Sequence, residues 1–302
     1  MRRTKHEESK VCSLKVGIVL NHSQRLTTAA VETIIRHIER LGSSAELLKL
    51  DNLLSELDVV LSFGGDGTVL GTARYVGEIP IFGINTGHLG FLTGIEYNLP
   101  KVIEAIALIL NNQFTIDKRN RLEAQVYRKE KNVAYCTALN DIVVKGAIAK
   151  LVRLKTYIGG DYVGNFPADG IIISTATGST GYSISAGGAI IPPDLEINVI
   201  TPICSHLLNV RSMIASDNKE IKIVVESYQK ELLLSADGQV DIELETNDCI
   251  VINKAPMVTN LIRLNNETFY QLLSRKMKWD KDEKERSNLT LAYSTTNDYQ
   301  KN

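Results

Sequence analysis

Cysteine is scarce: the 302-residue chain has four, Cys12, Cys136, Cys204 and Cys249, far apart and with no CxxC pair. That excludes a zinc-finger spacing and a disulfide framework, and makes a reducing cytoplasm the expected compartment. No apolar run is long enough, without interruption, to cross a bilayer. The N-terminus mixes both charges and lacks the apolar core of a signal peptide. A net charge of −1 supplies no global field toward nucleic acid or a membrane. His88 and His206 stand alone, with no partner at metal-ligand spacing, and read as structural or substrate-neighbouring. Internal repeats and low-complexity segments are absent.

What is present is the composition of an ordinary globular protein, 44% hydrophobic and 23% charged, long enough for two domains. Residues 1–12 read as a polar arm. Short apolar strands at Val16–Leu20, Leu57–Phe63 and Ile79–Ile84 then alternate with helical patterns at 27–41, after Gly67, and from Pro100. This alternation predicts an α/β domain over 1–115, with a Rossmann-like parallel sheet covered on both faces. Near residue 115 the rhythm changes. Period-two segments such as Leu122–Val126, Ile221–Ile223 and the run through Ile242, Leu244 and Ile250 predict a mostly β domain over 116–265, a sandwich or layered sheet. A helix over about 266–278 is expected to pack back on the first domain, and 279–302 to be a polar tail.

The chain is organised around Gly64-Gly65-Asp66-Gly67-Thr68, a turn between a strand and a helix. Glycines let a phosphate approach backbone amides, and a helix N-terminus favours anions. An acid in that cradle would repel phosphate. Asp66 therefore suggests proton acceptance from a hydroxyl or help in holding a metal ion. A tight turn capped by Asp66 is the plain alternative. A dinucleotide fingerprint fits less well, because Gly65, Gly67 and Gly71 are spaced GxGxxxG.

Further stretches stand out: Asn85-Thr86-Gly87-His88-Leu89-Gly90-Phe91-Leu92, then Asn140-Asp141, then Asp169-Gly170-Ile171-Ile172-Ile173-Ser174-Thr175. After them come Thr177-Gly178-Ser179-Thr180-Gly181-Tyr182-Ser183-Ile184-Ser185 and Asp237-Gly238-Gln239. The hydroxyl- and glycine-rich stretch around Tyr182 suits a polar ligand with a ring to stack, though alone it could be a connecting loop. Asn140-Asp141 could be a turn, and Asp237-Gly238 is a common hairpin signal.

Taken in order, these stretches resemble the NAD kinase family from Val16 to about Tyr270. The glycine-aspartate turn is shared with diacylglycerol, sphingosine and 6-phosphofructokinases, whereas the 85–92 and 177–183 stretches separate this family from those relatives. The resemblance implies transfer of a phosphoryl group from ATP to the 2′-hydroxyl of the adenosine ribose of NAD, giving NADP. It implies Asp66 as catalytic base, and Gly64, Gly65, Gly67 and Thr68 around the phosphate donor. It implies an NAD site of Asp66, Gly67, Phe91, Asn140, Asp141, Lys150, Asp169, Thr177, Thr180, Gly181, Tyr182, Ser183, Ile184, Ser185 and Gln239. Mg²⁺ or another divalent ion, and a homodimer or homotetramer with the NAD site near a subunit interface, are implied as well. Gly181, Ala176, Lys150, Pro167 and Ser205 depart from the residues usual in the family.

The chemistry such a transfer needs is a carboxylate at the hydroxyl, a metal on the phosphates and amide donors in line. An Asp66→Asn change is expected to fold normally and to lose on the order of 10²-fold or more in rate. The rival readings are a diacylglycerol-type lipid kinase, which would need an apolar acceptor groove, and a non-catalytic NAD(P)-binding regulator.

Overall fold

The computed structural model describes residues 13–21, 26–49, 56–87, 90–146, 151–207, 209–226 and 231–279. The N-terminal arm 1–12, His88, Lys150 and the tail beyond Trp279 lie outside the described residues. No helix among the described residues is long and apolar enough to cross a membrane.

The first part runs β1 (Lys15–Leu20), α1 (Thr28–Arg40), β2 (Ser44–Leu47), β3 (Val59–Gly64), α2 (Asp66–Val76), β4 (Ile81–Asn85), β5 (Ile95–Glu96), α3 (Leu99–Leu110) and β6 (Thr115–Arg119). The second runs β7 (Leu122–Arg128), β8 (Lys131–Ala138), β9 (Asp141–Gly146), β10 (Val152–Ile158), β11 (Asp161–Ala168), β12 (Gly170–Thr175), a 3₁₀ turn at Thr177–Thr180 and α4 (Tyr182–Ser185). It continues with β13 (Ile197–Ile203), β14 (Met213–Ser216), β15 (Ile221–Glu226), β16 (Leu232–Ala236), β17 (Val240–Leu244), β18 (Cys249–Lys254) and β19 (Thr259–Arg263).

The first sheet has the order β2-β1-β3-β4-β19-β6, with β5 beside β4. All its pairings are parallel except β19 with β6. Its middle strand β3 is buried on both faces, which is why it reads as an unbroken apolar run. Val59, Leu61 and Phe63 pack with Ile34, Ile38 and Ile106 of α1 and α3. Val60, on the opposite face, packs with Val69, Leu70 and Ala73 of α2. The helix termini follow local chemistry. Thr27 accepts the Ala30 N–H at the start of α1, and Asn98 accepts the Lys101 N–H at the start of α3. Gly42 just beyond α1 takes φ +83°, the left-handed geometry a helix end favours.

The remaining strands make two six-stranded antiparallel sheets, β11-β10-β15-β18-β7-β8 and β14-β13-β12-β9-β16-β17. Alternation puts Leu122, Ala124 and Val126 on one inner face, opposite Ile142, Val144, Ile171 and Ile173 on the other. Sheet membership differs from the boundary expected at residue 115. β6 lies just past it and β19 follows the whole sandwich, yet both pair in the first sheet. The chain thus leaves that sheet, builds the sandwich and returns. Period-two patterning marks β19 as a strand but carries no information about which sheet it joins.

Residues beyond Asn265 form a separate unit. Its helix α5 (Phe269–Met277) starts in a capping box, in which Thr268 accepts the Gln271 N–H and the Gln271 side chain accepts the Thr268 N–H.

Candidate active site

β3 ends in the glycine turn, and Asp66 opens α2 with Gly65 as its cap. No side chain caps this helix, which leaves its amide end for a ligand. A Cβ on Gly65 would meet nothing within 4 Å, and Gly67 is exposed, so the turn lies open at both positions. Gly64 is needed for another reason, because a side chain there would overlap the Thr68 side chain. The Thr68 hydroxyl is buried without a hydrogen-bond partner among the described residues.

The Asp66 carboxylate is fixed by a second motif. Its Oδ2 accepts the Phe91 N–H at 2.7 Å and its Oδ1 the Leu92 N–H at 3.0 Å. Arg263, at the end of β19, reaches the same loop from its carbonyl side. Its guanidinium donates to Phe91 O at 3.4 Å, Leu92 O at 3.4 Å and Thr93 O at 3.3 Å, and its Nε to Asp117 Oδ2 at 3.1 Å. Burial lowers the Arg263 pKa, as does the Arg119 charge, while Asp117 and Asp66 push it back up. Asp117 also binds Arg119 in a fork, with Nε donating to Oδ1 at 2.7 Å and Nη2 to Oδ2 at 2.5 Å. Burial raises the Asp117 pKa, but its bonds to the two arginines outweigh that and hold it below the usual range. Arg119 Nη1 then donates to Thr177 Oγ1 at 3.3 Å.

The second centre is the Asn140-Asp141 turn at the start of β9. Asp237 caps it, accepting the N–H groups of Leu139, Asn140 and Asp141 at 3.0, 2.7 and 3.2 Å. Asp237 (φ +52°) and Gly238 (φ +64°) form the hairpin turn between β16 and β17. Gln239 closes the gap to the glycine turn. Its Nε2 donates to Gly67 O at 2.7 Å, and its Oε1 accepts Arg74 Nη1 at 3.0 Å. Thr175 ties in the next motif, with its N–H donating to Asn140 O and its hydroxyl to Leu139 O. Gly178 has no room for a side chain, because a Cβ would run into the Asn140 backbone.

Asn140, Asp141 and Tyr182 line a cavity of about 230 Å³ together with Val143, Lys145, Ser235, Asp237 and Gly238. Asn140 Oδ1 is buried and lacks a partner among the described residues, which leaves it available to a ligand or water. The Tyr182 ring is exposed, free to stack. Asp141 is buried, and burial with the nearby Asp237 charge pushes its carboxyl up to about 7, against the opposing hydrogen bond from the Tyr182 N–H. Burial raises Asp237 as well, opposed by the three amides it caps and by Arg74.

One chain therefore gathers Asp66, Gly67, Phe91, Asn140, Asp141, Thr177, Gly181, Tyr182 and Gln239 into one connected region. Thr180 and Ile184 are half-buried and Ser185 exposed in the same loop. Ser183 differs from its neighbours in this loop. It is fully buried and its hydroxyl bonds Thr201 Oγ1 at 3.0 Å, so its side chain serves the protein interior. Asp169 is not brought near Asp141. Gly146 at the far end of β9 donates to its carbonyl, roughly 17 Å along the strand from Asp141. Lys145, Ser235, Arg74, Asp117, Arg119 and Arg263 belong to no motif in the sequence. The described residues hold no group of three or more His, Cys, Asp or Glu side chains able to bind a metal ion.

The ATP-NAD kinase N-terminal domain model matches residues 16–114 and the ATP-NAD kinase C-terminal domain model residues 139–264. The NAD kinase of Ruminiclostridium cellulolyticum is 37% identical over 286 residues, covering 89% of this chain and 99% of that protein. The NAD kinase of Moorella thermoacetica is 44% identical over 222 residues, covering 72% of this chain and 70% of its own. Among solved structures, an NAD kinase from Archaeoglobus fulgidus in complex with ATP has a TM-score of 0.71 at 25% identity, covering 86% of this chain and 99% of that one. Yeast NADH kinase complexed with NADH shares the fold, with a TM-score of 0.79 at 22% identity and 89% of each chain covered.

Proposed function

The chain belongs to the ATP-NAD kinase family, and from that premise we propose how this NAD kinase moves a phosphoryl group from ATP to the 2′-hydroxyl of the adenosine ribose of NAD. The observation that carries the proposal is the placement of Asp66. Its carboxylate is locked by two amides at the head of α2, and Gln239 joins the adjacent Gly67 to the hairpin that bounds the cavity of Asn140, Asp141 and Tyr182.

Asp66 accepts the proton of the ribose hydroxyl as the new O–P bond forms, the bond from the γ-phosphorus to the β–γ bridging oxygen breaks and ADP leaves. Gly64, Gly65, Gly67 and Thr68 cradle the ATP phosphates with amides at a helix N-terminus. Asn140 and Asp141 take the ribose hydroxyls, and Tyr182 stacks the base. Thr177, Thr180, Gly181, Ile184, Ser185 and Phe91 complete the walls. Lys145, the one cation among the described residues that line the cavity, is assigned to the NAD diphosphate.

The described residues hold no cluster of metal-binding side chains, so a divalent ion would be held chiefly by the ATP phosphates, as Mg²⁺ often is, and would neutralise their charge. Asp169, at the opposite end of β9, contributes to the NAD site of a second copy in a homodimer or homotetramer. Scarce, scattered cysteines favour the cytoplasm.

The test is direct. Purified protein is incubated with NAD, ATP and Mg²⁺, and NADP is detected with an NADP-specific dehydrogenase. Turnover that disappears in Asp66→Asn supports the proposal. Tight NADP binding with no turnover would identify a regulator instead.

A further inference from the structure

Two motifs that sequence keeps far apart, the glycine-aspartate turn and the Thr177–Ser185 loop, are linked through residues that belong to neither. Asp66 is held by the amides of Phe91 and Leu92, and the carbonyls of the same loop are held by Arg263. Arg263 and Arg119 share the carboxylate of Asp117. Arg119 is buried and bonds the Thr177 hydroxyl. Asp66, Arg263, Asp117 and Arg119 form a chain of alternating charge, two acids and two bases, so the buried guanidiniums are balanced within the group.

We infer that Arg263, Asp117 and Arg119 form a positioning relay that sets the Asp66 carboxylate at one end and Thr177 of the acceptor loop at the other. The inference rests on the reading of Asp66 as base and Thr177 as NAD contact. Arginine suits both outer positions. A planar fork can hold several carbonyls or a carboxylate at once, which a lysine ammonium cannot do with the same geometry. Asp117 and Arg119 stand two residues apart on β6, hence on one face of the strand, which gives the pair its fork. None of the three touches the reacting atoms. They act through the loop backbone and through a threonine hydroxyl.

The two ends of the relay should fail differently. Displacing Asp66 removes an interaction used only as the hydroxyl attacks, so it lowers kcat. Displacing Thr177 weakens binding of the ground state, so it raises KM for NAD. Three variants, Arg263→Gln, Arg119→Gln and Asp117→Asn, are assayed for kcat, KM for NAD and KM for ATP. Circular dichroism and NADP-binding stoichiometry are measured so that rates refer to competent sites.

Arg263→Gln is expected to lower kcat by about tenfold or more with KM for NAD within about twofold. Arg119→Gln is expected to raise KM for NAD by about tenfold with kcat within about threefold. Asp117→Asn, which keeps size and shape, is expected to show both effects. Arg263→Lys should recover only part of the lost kcat. If the arginine variants do not fold, Asp117→Asn decides alone. Arginine variants that change kcat and KM together in one ratio, any variant that changes neither, or an Asp117→Asn that changes only one of the two, overturn the relay. If Asp66→Asn itself turns over normally, the reading of the base fails first. If Asp66→Asn is inactive while Arg263→Gln is unaffected, only the relay fails.

Discussion

A side chain at position 90 would overlap the Asp66 carboxylate, so the glycine of one motif leaves the space that the acid of another fills. The neighbouring amides of Phe91 and Leu92 then fall on the two carboxylate oxygens. The turn that carries Asp66 and the loop after β4 are a single unit, although 25 residues separate Asp66 from Phe91.

Gly90→Ala is therefore expected to push the Asp66 carboxylate off its two amides. A displacement near 1 Å at a catalytic group costs on the order of 10²-fold in rate. Overpacking at this buried site also costs about 1–3 kcal/mol of stability. Steady-state kinetics beside a urea titration separates the two. Full turnover in the folded variant would mean that Asp66 is not positioned by this contact.

Asp66→Asn is expected to cut kcat by on the order of 10² to 10⁴-fold. The two amide bonds to Asp66 add a stability cost to this variant. Both oxygens accept backbone N–H groups, and an amide offers only one acceptor, so one N–H would face an NH₂ group. Leaving a donor unsatisfied there costs about 1–3 kcal/mol. Thermal unfolding of the variant measures that loss, and kcat per NADP-competent site measures the chemistry.

The Asp141 carboxyl, held up to about 7 by burial and by Asp237, makes stability fall as pH rises. Between its ordinary value and about 7 the folded chain binds a proton that the unfolded chain has already released, so the slope is negative across that window. Asp141→Asn cannot titrate and is expected to raise Tm more at pH 8 than at pH 5. If ribose hydroxyls donate to the ionised carboxylate, KM for NAD in the wild type rises as pH falls below about 7, and the variant loses that dependence. A Tm gain equal at both pH values would contradict the assignment.

Lys145→Met is expected to raise KM for NAD by about tenfold, the scale of one charge-assisted contact, and to leave KM for ATP unchanged. Adenosine, which lacks the diphosphate, should bind the wild type and the variant alike. An equal loss for adenosine and NAD would mean that Lys145 supports the fold of the cavity rather than the diphosphate.

The sequence alone determined the local elements and singled out the groups proposed to react. Period 3.6 marked α1 and α3, an unbroken apolar run marked the buried β3, and period two marked the sandwich strands, because each signal depends on neighbours only a few residues away. Motif order exposed Asp66, Asn140-Asp141 and Tyr182. Tertiary structure decided what holds them. Gln239 meets Gly67 across 172 residues, Arg263 meets Phe91 across 172, and Asp237 meets Asn140 across 97. No periodicity encodes such pairs, because they depend on β19 returning to the first sheet and on a hairpin docking against the head of α2. The same holds for the fate of hydroxyls in one loop. Ser183 turns inward to Thr201 while the Tyr182 ring stays outside, since consecutive side chains on a single turn face different surroundings.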